Sequence, residues 1–438
     1  VAEDTAGATI AALATAPGHA GVAVVRVSGT EALAVGRSLS QRPQLPHGQM
    51  RYGPLRHEGA LIDHGYVVAF HAPRSFTGED CVEFHVHGSP AVVDRLLEVL
   101  AHLGARPARA GEFTLRAYAH GRLDLVQAEA LADLISARSE FARQAALAHL
   151  DGALSRQLEA LRQPVLTLLA EVEARLDFAD EAGQLDRRRA SDRLDELCER
   201  LARLRGTAQA ARLRLHGARV VLYGPPNAGK SSLFNALVGV ERALVDARPG
   251  TTRDTIELSS QPDGVALTWV DTAGVRDTDD RVERAGTERA RAEVLHADVV
   301  LWLDDGSGST VPAPEGAAVV LRVRSKVDLG PVADSLSEWR VSAATGEGVD
   351  ALRQAVVAAV RNLTSAGPEQ AAVARTRHVQ GLTIAEEALR RAQAALSGPL
   401  ELVADDLRDA VHALDELTGA VTADDVLGAI FSQFCIGK

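Results

Sequence analysis

Gly224-Pro225-Pro226-Asn227-Ala228-Gly229-Lys230-Ser231 decides the reading of this chain, because it follows the apolar run Arg219 to Tyr223 and precedes an apolar-periodic stretch. In that strand, turn and helix setting, two glycines spaced ahead of a Lys-Ser pair make a phosphate loop. The glycines permit the tight turn, and backbone N–H groups at a helix N-terminus cradle phosphate. Lys230 then reaches the outer phosphates and Ser231 is placed to ligate Mg²⁺, with Asn227, Ala228, Gly229 and Ser232 as the neighbouring nucleotide contacts.

Four further motifs follow in an order that resembles the GTPase branch of phosphate-loop proteins. Asp271-Thr272-Ala273-Gly274 ends an apolar strand, where a carboxylate holds magnesium through water and a glycine N–H senses the γ-phosphate. Before it lies Gly250-Thr251-Thr252-Arg253-Asp254, in which Thr252 closes on the metal only while the γ-phosphate is present. Ser325-Lys326-Val327-Asp328 and Ser342-Ala343 each follow another strand. A carboxylate at Asp328 accepts both the N1 and N2 protons of guanine, which adenine does not offer, so GTP is the expected nucleotide and an ATPase of similar topology the disfavoured one. Two departures stand out: Pro225 where an arginine is expected, and Ser325 where the guanine motif usually has asparagine, which is expected to weaken base and loop contacts.

Outside this module the chain reads as several domains. Its 438 residues, 46% apolar and 24% charged, suit a folded protein with more than one core. Residues 1–121 carry α/β signals, 122–215 helical periodicity, 216–365 the nucleotide module, and 366–438 helical periodicity again. Leu147, Leu150, Leu154, Leu158, Leu161, Val165, Leu168, Val172 and Leu176 predict one long helix, with Pro164 as the point of a kink or split. The expected fold is therefore mixed α/β and all-α, with a helical domain split by an inserted Ras-like phosphate-loop domain.

The net charge of −12 repels a polyanion at long range, so any RNA contact must be local. Three cysteines are too few for a disulfide framework, no apolar run approaches bilayer length, and Glu3 and Asp4 stand where a secretory signal would be basic. A cytoplasmic protein without a membrane partner is expected. Only three of the 47 basic residues are lysines, Lys230, Lys326 and Lys438, and each lies inside a motif, which marks positions that reject guanidinium.

Three blocks beyond the nucleotide motifs carry a closer likeness: Ser75-Phe-Thr-Gly-Glu-Asp80, the run from Gly111-Glu-Phe-Thr through Gly121-Arg-Leu-Asp to Ile135, and Phe434-Cys-Ile-Gly-Lys438. With them the chain resembles, over nearly its whole length, the MnmE (TrmE) family of tRNA-modification GTPases. The resemblance implies a GTP hydrolase, dimeric, that works with the flavoprotein MnmG in a heterotetramer. It further implies installation of an aminomethyl-type group at C5 of the tRNA wobble uridine, using a tetrahydrofolate derivative (5-formyl or 5,10-methylene) as one-carbon source.

By the same resemblance Arg26, Glu83 and Lys438 match folate-contacting positions, Arg122 stands where the family's lysine is expected, Asn227 matches a potassium-ligating asparagine, and Glu283 the catalytic glutamate. Potassium beside the phosphates then does the work of an arginine finger. Alternation along 81–87 supports Glu83 independently, since Val82, Phe84 and Val86 face a core and leave Cys81, Glu83, His85 and His87 on the other side. Four alternate side chains on one strand do not converge on zinc. Cys435 reads as a small buried thiol rather than a nucleophile, with no base identifiable beside it. The alternatives are a ribosome-assembly GTPase switch, whose RNA module would be appended and basic, and a helical adaptor with a dead nucleotide site.

Overall fold

The computed structural model describes residues 7–137, 139–178, 183–239, 256–272, 292–306, 311–314, 316–330, 339–364, 373, 375–421, 424–432, 434 and 437. The chain forms two compact units, Val1–Ala132 with His149–Ser191 and Glu387–Lys438, and Asp133–Ala148 with Asp192–Glu386.

In the first unit six strands, β1 (Ile10–Leu13), β2 (Ala20–Ser28), β3 (Arg51–His57), β4 (Ala60–Phe70), β5 (Cys81–Gly88) and β6 (Arg106–Pro107), form a sheet in the order β3-β4-β5-β2-β1-β6. Neighbours are antiparallel except β1 and β6. Alternation works as elementary strand geometry requires: Val25, Val27, Val82, Phe84 and Val86 are buried in one core with Leu39 of α1 (Ala32–Ser40) and Leu96 and Leu100 of α2 (Pro90–His102). The other face keeps Glu83 and His85 half-buried and His87 exposed. Cys81 shares that face but is covered, its Sγ 3.1 Å from Thr77 Oγ1 and 3.4 Å from Ser28 Oγ.

Helices α3 (Glu112–Ala119), α4 (Leu125–Ser136), α5 (Glu140–Leu150) and α6 (Ala153–Asp177) follow. The periodic stretch expected as one helix from Leu147 is thus two, broken at Gly152, whose φ of +80° is the left-handed conformation that favours glycine. Pro164 is accommodated inside α6. Leu154, Leu158, Leu161, Val165, Leu168 and Val172 form the buried stripe of α6, which packs along the helix Leu400–Thr418 and is tied to it by Arg162–Asp415 and by Arg408–Glu173 at 3.0 Å. The helix Asp424–Phe431 sets Leu427, Ile430 and Phe431, with Phe434 beyond it, against Leu125 and Ala128.

The second unit holds β7 (Ala218–Tyr223), β8 (Ile256–Ser260), β9 (Leu267–Asp271), β10 (Val299–Asp304), β11 (Val319–Arg324) and β12 (Trp339–Arg340), in the order β12-β11-β10-β7-β9-β8. All run parallel except β8. Such a sheet must be covered on its faces. On one, Leu233, Phe234 and Leu237 of the helix that follows the phosphate loop, and Leu352, Val356 and Val360 of the helix Val349–Thr364, close on Val220, Leu222, Trp269 and Leu301. α7 (Arg187–Gly206) leads into α8 (Ala208–His216), which adds Leu213 to this core; its Arg212 pairs with Asp298, whose second oxygen accepts the Arg219 N–H at 2.8 Å. The fold is mixed, and in chain order the parallel sheet stands between helical segments on both flanks.

Candidate active site

Parallel strands bring their carboxyl ends to one edge, which is where open α/β sheets take ligands. Here that edge gathers the phosphate loop after β7, Asp271 at the end of β9, Asp304 at the end of β10 and Ser325 after β11. The loop turns into α9 (Lys230–Val238) through Gly229 at φ +85°, and Asn227 is also left-handed at φ +62°. Gly224 is required by close approach: a Cβ there would stand 2.8 Å from the Leu303 carbonyl oxygen.

Lys230 is 9% exposed, and its ammonium donates to the carbonyls of Gly224 at 2.9 Å and Pro225 at 2.8 Å. Burial pushes its pKa below the usual lysine range, with the nearby Asp271 carboxylate acting in the opposite sense. A cation held by carbonyl dipoles in a poorly solvated place gains most from an incoming phosphate. Ser231 and Ser232 are exposed in the first turn of α9, and Asn227 is exposed on the lip of the loop. Asp271 is 1% exposed, and Thr272 Oγ1 donates to the Leu222 carbonyl at 2.8 Å, which fixes the start of that motif against β7.

Ser325 is buried, and its hydroxyl donates to the Ala228 carbonyl at 2.7 Å. The loop contact expected to suffer from replacing asparagine is therefore made by the shorter side chain. Lys326 sits at φ +56° with its ammonium 2.9 Å from Asp305 Oδ2, and Asp328 is exposed. Ser342 is buried in a turn closed by its N–H to the Glu347 carbonyl at 2.9 Å, and Val341 N–H to Arg324 O at 2.8 Å holds that turn and Ala343 beside the 325–328 loop.

A second polar cluster lies on the N-terminal sheet. Arg26 on β2 and Glu83 on β5 are directly opposed, with Arg26 Nε 2.9 Å and Nη2 2.8 Å from Glu83 Oε1. The guanidinium also stands over Phe76 and Phe113, 5.1 and 5.7 Å from their ring centres. His85, with burial opposing and Arg26 adding, holds the Glu83 carboxyl below its ordinary range.

The loop bearing Phe76 is braced by Arg116, whose guanidinium reaches Glu79 at 2.9 Å and the Ala8 carbonyl at 2.8 Å, and by Ser28 Oγ to Glu79 at 2.8 Å. Exposed Arg122 lies beside Gly78 of the same loop. Gly437 packs on the end of β1, where a Cβ would overlap the Leu13 carbonyl. Arg26, Glu83, Arg122 and Gly437 are thus gathered on one sheet and its loops. Residue-by-residue reading of the sequence does not single out Phe76 and Phe113, although both lie in the 75–80 and 111–135 blocks; an aromatic beside each cluster of small and charged residues is the available signal.

The family description "MnmE helical domain" matches residues 125–435, and "GTP-binding protein TrmE N-terminus" matches residues 9–122. A tRNA modification GTPase MnmE of Thermus thermophilus is 44% identical over 436 residues, 98% of this chain and 99% of that one. The chain belongs to the MnmE family. Another MnmE, from Myxococcus xanthus, is 44% identical over 447 residues, with 98% of this chain and 99% of its own covered. This MnmE family member is a GTP hydrolase, and the preformed phosphate loop is its candidate catalytic edge. Glu283, Thr251, Thr252, Ala273, Gly274, Cys435 and Lys438 lie outside the described residues.

Proposed function

We propose that this GTPase acts in tRNA modification, that potassium activates it, and that its hydrolysis cycle drives a folate-dependent step on the wobble uridine together with the flavoprotein MnmG. The observation that carries the reading is the pairing of a ready phosphate loop in one unit with an aromatic-walled Arg26–Glu83 cluster in the other. Lys230 would exchange two carbonyl contacts for the outer phosphates, and Ser231, Asp271 and Thr252 are the residues that would hold Mg²⁺ beside them. Asp328 reads the guanine edge, with Ser342 and Ala343 behind the base. Asn227 offers its side-chain oxygen to K⁺, and Glu283 orients the attacking water. Bound Mg²⁺ and K⁺ supply positive charge where the phosphoryl oxygens become more negative.

The N-terminal cluster suits a reduced folate by its chemistry. Planar rings stack on the partly exposed Phe76, which packs against the buried Phe113, the Glu83 carboxylate accepts ring N–H donors, and Arg26, Arg122 and Lys438 answer the acidic tail. The exposed Tyr52, Tyr66 and Val22 on the same unit's sheet suit a second copy of the chain, and a homodimer is part of the proposal. No helix among the described residues is long and apolar enough to cross a membrane, and a cytoplasmic setting fits a tRNA substrate. Two measurements test the reading. GTP turnover is expected to fall strongly when sodium replaces potassium, and equal rates would remove the activation. Mass spectrometry of tRNA from a deletion strain is expected to show wobble uridines without their C5 substituent; intact modification would favour a ribosome-assembly switch.

A further inference from the structure

The guanine motif of this chain lacks its usual asparagine, and other contacts keep the base loop in place. Ser325 N–H donates to the Asp304 carbonyl at 2.9 Å while its hydroxyl donates to Ala228 O at 2.7 Å, so one residue ties the end of β10 to the phosphate loop. Lys326, next in sequence, is left-handed, and its ammonium is held 2.9 Å from Asp305, whose side chain is 9% exposed. The lysine stem runs beside Gly229, with Cε 3.8 Å from where a Cβ on that glycine would lie. A flexible four-carbon chain is costly to hold in one rotamer. A charge-assisted bond at its far end fixes it, leaving the methylenes as an apolar wall.

We propose that Asp305 is a positioning residue of the nucleotide site. By holding the Lys326 ammonium it lays the lysine stem down as one wall for the purine plane, and with Ser325 it splints base loop to phosphate loop in place of the missing asparagine. Arginine does not replace Lys326, because a planar fork at the end of a shorter apolar stem meets Asp305 with different geometry. The inference rests on the guanine-nucleotide reading of these loops.

The test is GDP titration and steady-state GTP turnover on the full chain. Asp305→Asn is expected to raise Kd for GDP and KM for GTP together by about tenfold while kcat stays within about twofold, since the acting group touches the base and not the reacting phosphate. Preference for GDP over ADP is expected to be unchanged, because the purine edge is read elsewhere. Lys326→Met, which keeps an apolar stem without charge, should lose a similar factor, and Asp305→Asn in that background should cost nothing further. Asp305→Glu should recover most of the affinity.

Unchanged Kd in Asp305→Asn, a fall in kcat at constant KM, or additive effects of the two positions would overturn the proposal. If Asp305→Asn does not fold, Asp305→Glu binding well beside a weakened Lys326→Met supports it, and equal binding by those two overturns it. A wild-type chain that takes up no GDP sinks the guanine reading as well; wild type and Asp305→Asn binding equally tightly sinks only this one.

Discussion

The phosphate loop holds a buried cation and the Arg26 cluster a half-buried one, and they treat it in opposite ways. Lys230 is held by two carbonyls, so its charge is only partly compensated until a phosphate arrives. Arg26 is already paired with Glu83 and stacked over two rings, so a ligand there must trade partners rather than add one. The first arrangement favours tight binding and transition-state charge stabilisation; the second favours selectivity, because only a ligand with both an acidic and a donor face compensates both halves.

Removing the cation tests this contrast most severely at the phosphate loop. Lys230→Met is expected to lower GTP turnover by at least about a thousandfold, since it deletes charge aimed at the outer phosphates. Phosphate release at saturating GTP measures it, and a fall of less than tenfold would mean the loop carbonyls rather than the ammonium do the positioning. At the other cluster Arg26→Ala is expected to weaken reduced-folate binding roughly tenfold or more, and Arg26→Lys to recover little, because an ammonium neither stacks flat on Phe76 nor meets Glu83 with two nitrogens. Calorimetry with 5-formyltetrahydrofolate decides it; full recovery by lysine would show that charge alone matters.

The two regions also differ in how openly the sequence displays them. The phosphate loop is eight contiguous residues whose spacing is the mechanism, so Gly224, Lys230 and Ser231 are assignable from residue order alone. β7, β9 and β10 are legible too, because strands buried on both faces are largely continuous apolar runs. The Arg26 cluster comes from β2, β5, the 75–80 loop and α3, and no periodicity links segments that far apart. Only family likeness points to Arg26, alternation adds support for Glu83 alone, and nothing local announces Phe113 as a ring beneath the guanidinium.

The helix break at Gly152 is hidden for a related reason. The leucine spacing continues across it, and a single glycine is weak punctuation when the apolar stripe does not change phase. Asp305 is equally inconspicuous, because its role depends on where β10 ends relative to Lys326, which is a matter of sheet order.

A smaller perturbation is expected where one hydrogen bond joins two loops. Ser325→Ala removes the bond to Ala228 O without opening a large cavity, a loss of about 1 kcal/mol, or roughly fivefold in nucleotide Kd. Fluorescent GDP titration checks it, and an unchanged Kd would leave the splint to Asp305 and Lys326 alone.

Finally, pH separates the two regions by sign. The Glu83 carboxyl is held below its ordinary value by His85 and Arg26, against burial. Its contribution to the N-terminal sheet is thus fully present above the unfolded carboxyl value, about 4.3, and is lost as pH falls through the lower folded value. Lys230 also has its pKa lowered, by burial, but in a cation that shift disfavours the charged form. Its charged form is the one that phosphate stabilises, so nucleotide affinity is level near neutrality and declines as pH rises through a value below the usual 10.4 or so of free lysine. Thermal melts between pH 3 and pH 6 (roughly the window that brackets a carboxyl) should show less acid-side loss of Tm in Glu83→Gln than in wild type. GDP titrations on the alkaline side should show no such effect of that variant. An acid loss of equal size in both proteins would mean that Arg26 and Glu83, despite facing each other across two strands, contribute nothing net to the fold and are held ready for exchange with a ligand.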